Sequence, residues 1–242
     1  MSENYVFGFK LNMQSLARLR GSKDTQFVEG VLKADADSVK EIDDLFRDYA
    51  DRPDDLLTCA QVLDEIVMNR LSKDHVYHYR RCLELVARRV GTELPDESRS
   101  RTLAFLQSFW PADLKPVLDL LGVKAIARLW LYDNVLFPWD NETEAGEFEW
   151  PVATYCSSVV VGQALSEFGK ADLRTMSRFD RKLYQQKTDD ADDVMADMRD
   201  AIRQLHEWCK EVETKEDRTR SKATTDSQDS GDGLLIIVDG DQ

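Results

Sequence analysis

Residues 233–240 read Gly-Leu-Leu-Ile-Ile-Val-Asp-Gly, a sharply apolar run that follows a long polar stretch. Isoleucine and valine in a run of this length are typical of a β-strand. The run is continuous and does not alternate with polar residues, a pattern found in strands that are covered on both faces. The sequence therefore predicts an inner β-strand over this segment.

An inner strand needs strands beside it, and the beginning of the sequence has the composition of one. Residues 5–11 read Tyr-Val-Phe-Gly-Phe-Lys-Leu, which is rich in aromatic and β-branched side chains. We expect the two strands to pair in one small sheet and to close a single α+β domain over residues 1–242. Residues 215–233, rich in Ser, Thr, Asp and charge, are predicted to be a flexible polar linker or loop within that domain.

Most of the remaining sequence has apolar side chains spaced by three and four residues, which is the pattern of amphipathic helices. Two helices are predicted between residues 24 and 51, one over residues 76–90, and a long one over residues 189–212. For residues 123–138 the spacing leaves open a buried helix or a helix followed by a strand. The predicted fold class is α+β, mostly helical, with a small sheet that includes the N-terminal and C-terminal strands.

A further helix start is predicted at Pro53, where Asp54 and Asp55 follow. Proline fits the first turn of a helix, and carboxylates there interact favourably with the positive end of the helix dipole. The helix that follows is expected to bury Leu56 together with later apolar residues.

The composition excludes several classes of protein. Of 242 residues, 42% are hydrophobic and 32% are charged, which is too apolar for a disordered chain and too charged for a membrane protein. The sequence has 32 Lys+Arg against 46 Asp+Glu and a formal net charge of −14. Because neutralising phosphates requires an excess of Lys and Arg, this balance speaks against nucleic-acid binding. We expect neither a nucleic-acid nor a membrane partner.

The first residues and the cysteines indicate the compartment. Residues 1–10 lack the basic segment and apolar run of a secretory signal, so we expect a soluble, cytoplasmic protein. The four cysteines, Cys59, Cys82, Cys156 and Cys209, are widely spaced, and no two of them form a C-x-x-C pair. Their apolar surroundings favour buried, structural thiols over disulfides or metal ligands.

His75, His78 and Cys82 are the candidate metal ligands of the sequence. Their spacing of three and four residues places them on one stripe of a helix, where they would offer two imidazole nitrogens and a thiolate. The same stripe lies one position before the apolar stripe of that helix, which favours side chains at the rim of the core. No fourth ligand is indicated, so we predict no metal and no cofactor.

Catalytic motifs are absent from the sequence. It contains neither of the familiar glycine-rich phosphate loops, no nucleophile elbow and no zinc-protease motif. The sequence therefore leaves open whether the protein is an enzyme.

An aromatic and acidic segment lies between Pro138 and Pro151 and extends back to Asp133. Tryptophan supplies rigid contact area, and carboxylates could recognise a basic or sugar-like ligand. The candidate binding residues are Asp133, Trp139, Asp140 and Trp150. The competing interpretation, favoured because aromatics are usually core residues, is that these side chains plug the base of the sheet while the acids face water.

Three segments carry a family resemblance. Residues 16–24 read Leu-Ala-Arg-Leu-Arg-Gly-Ser-Lys-Asp, and residues 163–168 read Gln-Ala-Leu-Ser-Glu-Phe ahead of Asp172-Leu and Phe179-Asp180. Residues 205–209 read Leu-His-Glu-Trp-Cys before the apolar run at 233–238. In this order the segments resemble the YfbM-like bacterial domains of unknown function and their actinobacterial and planctomycete relatives. The resemblance implies a single α+β domain with a small sheet edged by helices, and it implies no established activity.

Two classes of function are compatible with these features. The first is a non-enzymatic interaction or regulatory protein, immunity-like in role, whose acidic surface meets a basic protein partner. The alternative is a small-ligand-binding protein or hydrolase that uses the aromatic and acidic segment at 133–150. The net charge of −14 and the missing catalytic motifs favour the first class. The oligomeric state is left open by the sequence.

Overall fold

A computed structural model of the chain describes residues 4–49, 56–95, 114–127, 152–172, 191–213 and 231–240. The strands in these ranges are β1 (Asn4–Leu11), β2 (Thr92–Glu93), β3 (Val152–Cys156) and β4 (Gly233–Gly240). The α-helices are α1 (Met13–Leu19), α2 (Thr25–Ala34), α3 (Ala36–Tyr49), α4 (Cys59–Met68), α5 (Val76–Val90), α6 (Leu114–Leu121), α7 (Lys124–Ala127), α8 (Ser158–Phe168) and α9 (Ala191–Val212). A short 3-10 turn, Lys73–His75, precedes α5.

The four strands form one antiparallel sheet in the order β2-β1-β4-β3. β1 and β4 pair along their whole length, from Asn4 opposite Gly240 to Leu11 opposite Gly233. The predicted pairing of the two terminal strands is confirmed, and so is the fold class: α+β, mostly helical, with a small sheet.

β4 has a buried core on each of its faces. Leu234 and Ile236 belong to the core formed with α6 to α9, whereas Leu235 and Ile237 belong to the core formed with α1 to α5. All four side chains are at most 1% exposed. Because neighbouring side chains of a strand point to opposite faces, two covered faces require an apolar residue at every position. The continuous run at 233–238 is explained by this arrangement.

The predicted helix start at Pro53 lies outside the described residues, but the helix that follows in the described chain begins later. α4 begins at Cys59, and Thr58 is its N-cap. The Thr58 side chain accepts from the Gln61 N–H while the Gln61 side chain accepts from the Thr58 N–H, so that a capping box satisfies the first turn. Leu56, which was expected to be buried, precedes the helix and is 39% exposed.

α9 is fixed to the sheet by Trp208. Its indole lies against Gly8 of β1, where an added Cβ would come within 2.8 Å of the ring. The Trp208 Nε1–H donates to the carbonyl oxygen of Pro95 at 2.9 Å, and the Gln204 amide donates to the same oxygen at 3.0 Å. Together these contacts hold α9 across β1 and beside the segment that follows β2.

Other predicted segments lie partly or wholly outside the described ranges. Of residues 123–138, residues 124–127 form α7, and those after 127 are not described. Of the predicted loop at 215–233, only residues 231–233 are described, and Gly233 already belongs to β4. In the described ranges no helix combines the length and hydropathy needed to cross a bilayer. The single domain over residues 1–242 stays a prediction.

Candidate functional site

The turn between α4 and α5 brings four titratable side chains together. Glu65 comes from the last turns of α4, His75 ends the 3-10 turn, and His78 and Tyr79 lie in the first turn of α5. The four residues, Glu65, His75, His78 and Tyr79, are referred to below as the histidine cluster. The turn itself is capped by Ser72, whose hydroxyl accepts from the Asp74 N–H at 3.3 Å.

The carboxylate of Glu65 is the centre of the histidine cluster. Its Oε2 accepts from the Tyr79 hydroxyl at 2.6 Å and lies 3.0 Å from Nδ1 of His75. A carboxylate only accepts, so the imidazole tautomer that fits carries its proton on Nδ1. The Tyr79 oxygen in turn accepts from the Ser72 N–H at 2.8 Å. These bonds tie the start of α5 to α4.

Tyr79 is held in its protonated form. Burial raises the pKa of Tyr79 well above its usual value, and the hydrogen bond from its hydroxyl to Glu65 raises the pKa further. The phenol proton therefore stays on Tyr79 and is donated to the carboxylate. In this setting Tyr79 acts as a hydrogen-bond donor that positions Glu65.

His78 is packed as a neutral ring. Its ring lies edge-on to that of Phe46 of α3 with centroids 4.5 Å apart, and 5.8 Å from the ring of His75. Its Nδ1 is buried, and no residue within the described ranges bonds to it. Burial and the nearby His75 lower the pKa of His78 below 6.5, and Glu65 opposes this shift. The uncharged imidazole is therefore the form that fits the site.

The structure separates the predicted metal candidates. His75 and His78 lie together, but Cys82 is fully buried in the core beside Cys59. Among the residues described, no three His, Cys, Asp or Glu side chains are grouped so that they could hold a metal ion. The expected position of the histidines at the rim of the core agrees with their partial burial.

All four cysteines are free and buried, which confirms the prediction of structural thiols. Cys59 and Cys82 lie in one core, and Cys156 and Cys209 lie in the other. A hydrogen bond with the Cys59 thiol, together with burial, raises the pKa of Cys82 well above its usual value. Burial raises the pKa of Cys156 in the same direction and that of Cys209 to about 12. None of these three thiols is poised as a thiolate at neutral pH.

The candidate binding residues of the aromatic segment, Asp133, Trp139, Asp140 and Trp150, lie outside the described ranges. Their role stays a prediction. Conversely, Glu65 was not found from the sequence, because its partners lie on another helix and spacing within one helix does not reveal them.

The outer face of α9 carries an exposed acidic stripe. Asp200, Glu207 and Glu211 are separated by seven and four residues, which places them on one side of the helix. These three residues are called the α9 ridge. Arg203 pairs with Asp200 at 2.9 Å and Lys210 with Glu207 at 2.6 Å, and both bases lie along one edge of the ridge. The acids of these pairs remain 54% and 60% exposed.

The fold and these sites define a helix-rich α+β domain whose antiparallel sheet is covered on both faces. Residues 1–221 match the family described as domain of unknown function DUF7691, and the chain belongs to that family. The matched range ends before β4, and the match does not confirm the resemblance to YfbM-like domains. No curated protein and no solved structure matches the chain.

Proposed function

We propose that the chain is a non-enzymatic, cytoplasmic interaction protein, regulatory or immunity-like in role, whose acidic surface meets a basic protein partner. The observation that carries the proposal is the α9 ridge. Its three acids are exposed on a helix that is anchored in the core by the buried side chain of Trp208. A rigid helix with an exposed acidic stripe is a preorganised surface for Lys and Arg side chains.

The charge of the whole chain supports this proposal. A formal net charge of −14 creates a field that speeds encounters with a basic partner and slows those with acidic ones. The bases on the ridge form exposed pairs between neighbouring turns, and such pairs each contribute only about 0.2–1 kcal/mol. Lysine or arginine side chains of a partner can therefore displace Arg203 and Lys210 from the carboxylates at small cost.

The reactive side chains within the described ranges are engaged in structural contacts, which also favours a binding protein over an enzyme. Glu65 is engaged by Tyr79 and His75, and Tyr79 keeps its proton. The cysteine thiols are buried. These groups hold helices together, whereas the acids of the α9 ridge are exposed, and two of them are engaged only in exposed pairs with Arg203 and Lys210.

The test compares two triple variants that remove the same amount of charge. Asp200→Asn with Glu207→Gln and Glu211→Gln neutralises the α9 ridge, and Asp37→Asn with Glu41→Gln and Asp48→Asn neutralises exposed acids of α3. Both variants and the wild type serve as bait for proteins of the source cell at about 50 mM and about 300 mM salt, because screening weakens exposed charge pairs. Basic proteins should be captured by the wild type and the α3 variant at low salt.

Affinities of the captured proteins for each bait then decide the outcome. We expect neutralising the ridge to weaken binding about tenfold, equal to about 1.4 kcal/mol, while the α3 variant binds like the wild type. Equal binding by both triple variants, or capture of no basic protein by the wild type, contradicts the proposal. The alternative, a ligand-binding protein or hydrolase using residues 133–150, depends on side chains that lie outside the described ranges.

A further inference from the structure

The histidine cluster is the meeting point of three helices. Glu65 belongs to α4, His75 precedes the first residue of α5, and His78 lies one turn further along that helix. From α3, the Phe46 ring packs against His78 with centroids 4.5 Å apart and is itself 1% exposed. The Phe46 ring also lies edge-on to Tyr77 with centroids 6.3 Å apart, so His78 is the nearer of two rings through which α3 packs on the first turns of α5.

Few charged groups act on His78 from the elements around it. His75 lies on the side of the 3-10 turn, and Glu65 lies on α4. From α3 the facing group is the uncharged ring of Phe46, and Asp43 of the same helix acts on Cys82 one turn further along α5. On its own helix His78 contacts the ring of Tyr77 at 5.6 Å.

The geometry makes a charged His78 unfavourable. A protonated imidazole needs an acceptor at each nitrogen, and the buried Nδ1 of His78 has none among the described residues. The ring of His75, whose centroid lies 5.8 Å from that of His78, also lowers the pKa of His78. The carboxylate of Glu65, which opposes this shift, is already bonded to Tyr79 and His75.

We propose that His78 is an acid-sensitive joint, whose protonation loosens the packing of α3 on the first turns of α5. The direction follows from linkage. Burial lowers the pKa of His78 in the folded chain below its usual 6.5, so the unfolded chain binds the proton more readily. The contact is at full strength above about pH 6.5 and is lost as the pH falls through the folded pKa.

Hydrogen exchange measured by mass spectrometry tests the joint directly. Protection factors, corrected for the intrinsic pH dependence of exchange, are compared between pH 7.5 and 5.5. We expect peptides of α3 and the first turns of α5 to lose protection by up to about tenfold, because pH 5.5 lies about one unit below the unfolded pKa of His78. Peptides from the paired strands β1 and β4 should keep theirs.

Two variants assign the response to one histidine. His78→Phe keeps a ring against Phe46 and removes the proton site, so its α3 protection should no longer depend on pH. His206→Phe is the matched control, since His206 stacks on Phe168 with centroids 4.7 Å apart and also has a pKa lowered by burial, but lies on α9. The control should retain the α3 response of the wild type. Loss of α3 protection in His78→Phe equal to that of the wild type overturns the proposal.

A second measurement uses the wild type alone, so it does not depend on whether a variant folds. The chain has three histidines, so their imidazole resonances in the wild type can be followed separately through a pH titration. We expect the His78 resonance to titrate below pH 6.5 and the Phe46 ring resonances to shift with it. The proposal is overturned if the His78 resonance titrates at or above pH 6.5, or if the Phe46 ring resonances do not shift as His78 titrates.

Discussion

Glu65 illustrates how one side chain fixes the relative position of two helices. Its carboxylate is 19% exposed and bonds with Tyr79 and His75 of the next helical segment. The neighbouring Asp64 is twice as exposed, at 38%, and pairs with the solvent-facing Arg70. Adjacent acids on one helix thus have different roles, decided by which face of α4 each occupies.

We predict that Glu65→Gln lowers the free energy of unfolding by about 1–3 kcal/mol, because hydrogen bonds to a charged, half-buried acceptor are lost or weakened. Asp64→Asn is the control and should change it by less than about 1 kcal/mol, as exposed ion pairs contribute little. Urea unfolding of both variants at pH 7.5 measures the difference. Equal effects of the two substitutions would show that Glu65 is no more than a surface acid.

A second prediction concerns Gly8, where a Cβ would lie 2.8 Å from the ring of Trp208. Gly8→Ala should lower the free energy of unfolding by about 1–3 kcal/mol, since the indole has to move in a packed core. Gly162 of α8 is the control, because a Cβ there would meet nothing nearer than 3.9 Å. Gly162→Ala should raise the free energy of unfolding by about 0.5–1 kcal/mol by favouring the helix. We therefore expect the two substitutions to change the free energy of unfolding in opposite directions. A Gly8→Ala variant that is more stable than the wild type would contradict the close packing of Trp208 on Gly8.

The sequence predicts the position of a single side chain only relative to other residues of the same helix. The spacing of His75 and His78 correctly indicates the rim of the buried face of α5. It does not indicate Glu65 or Phe46, because these partners come from α4 and α3 and no regular interval links them to α5. The position of Trp208 over Gly8 is hidden for the same reason, since 200 residues separate the two.

At the scale of elements, the sequence predicts strongly patterned segments well and their boundaries less well. β4 is recognisable because a strand covered on both faces must be apolar at every position. α4 shows the limit: Pro53 and its two aspartates have the composition of a first turn, but the reciprocal bonds of Thr58 and Gln61 start the helix later. Composition does not distinguish these two starts, whereas the capping hydrogen bonds do.

The burial of β4 on both of its faces can be tested by substituting one residue from each face. Leu234→Ala and Leu235→Ala should each lower the free energy of unfolding by about 2–5 kcal/mol, because each removes methyl groups from a different core. Leu120→Ala of α6, where the side chain is 45% exposed, should change it by less than about 0.5 kcal/mol. Urea titrations followed by tryptophan fluorescence measure all three. A negligible effect at either strand position would mean that one face of β4 is open.

At the scale of the whole molecule, the acidic excess and the buried cores are distributed differently along the chain. More than half of the acidic excess of the sequence lies outside the described ranges. The two buried cores, in contrast, meet at β4, which contributes side chains to both. Whether the two cores unfold as one cooperative unit decides if the chain is the single domain that the sequence predicts.

The four buried cysteines provide a measurement of this cooperativity, because each core contains two of them. The thiolate is the reactive species, and burial both excludes reagent and raises the pKa of Cys82, Cys156 and Cys209. An aromatic disulfide reagent should therefore modify the native chain only as it opens, and Leu120→Cys should add one thiol that reacts at once. Since β4 contributes side chains to both cores, its release exposes all four native thiols together. We expect the four native thiols to be modified with one rate constant, which rises with urea in parallel with unfolding. Two distinct rate constants, one for each pair of cysteines, would show that the cores open independently. That result would contradict the single domain.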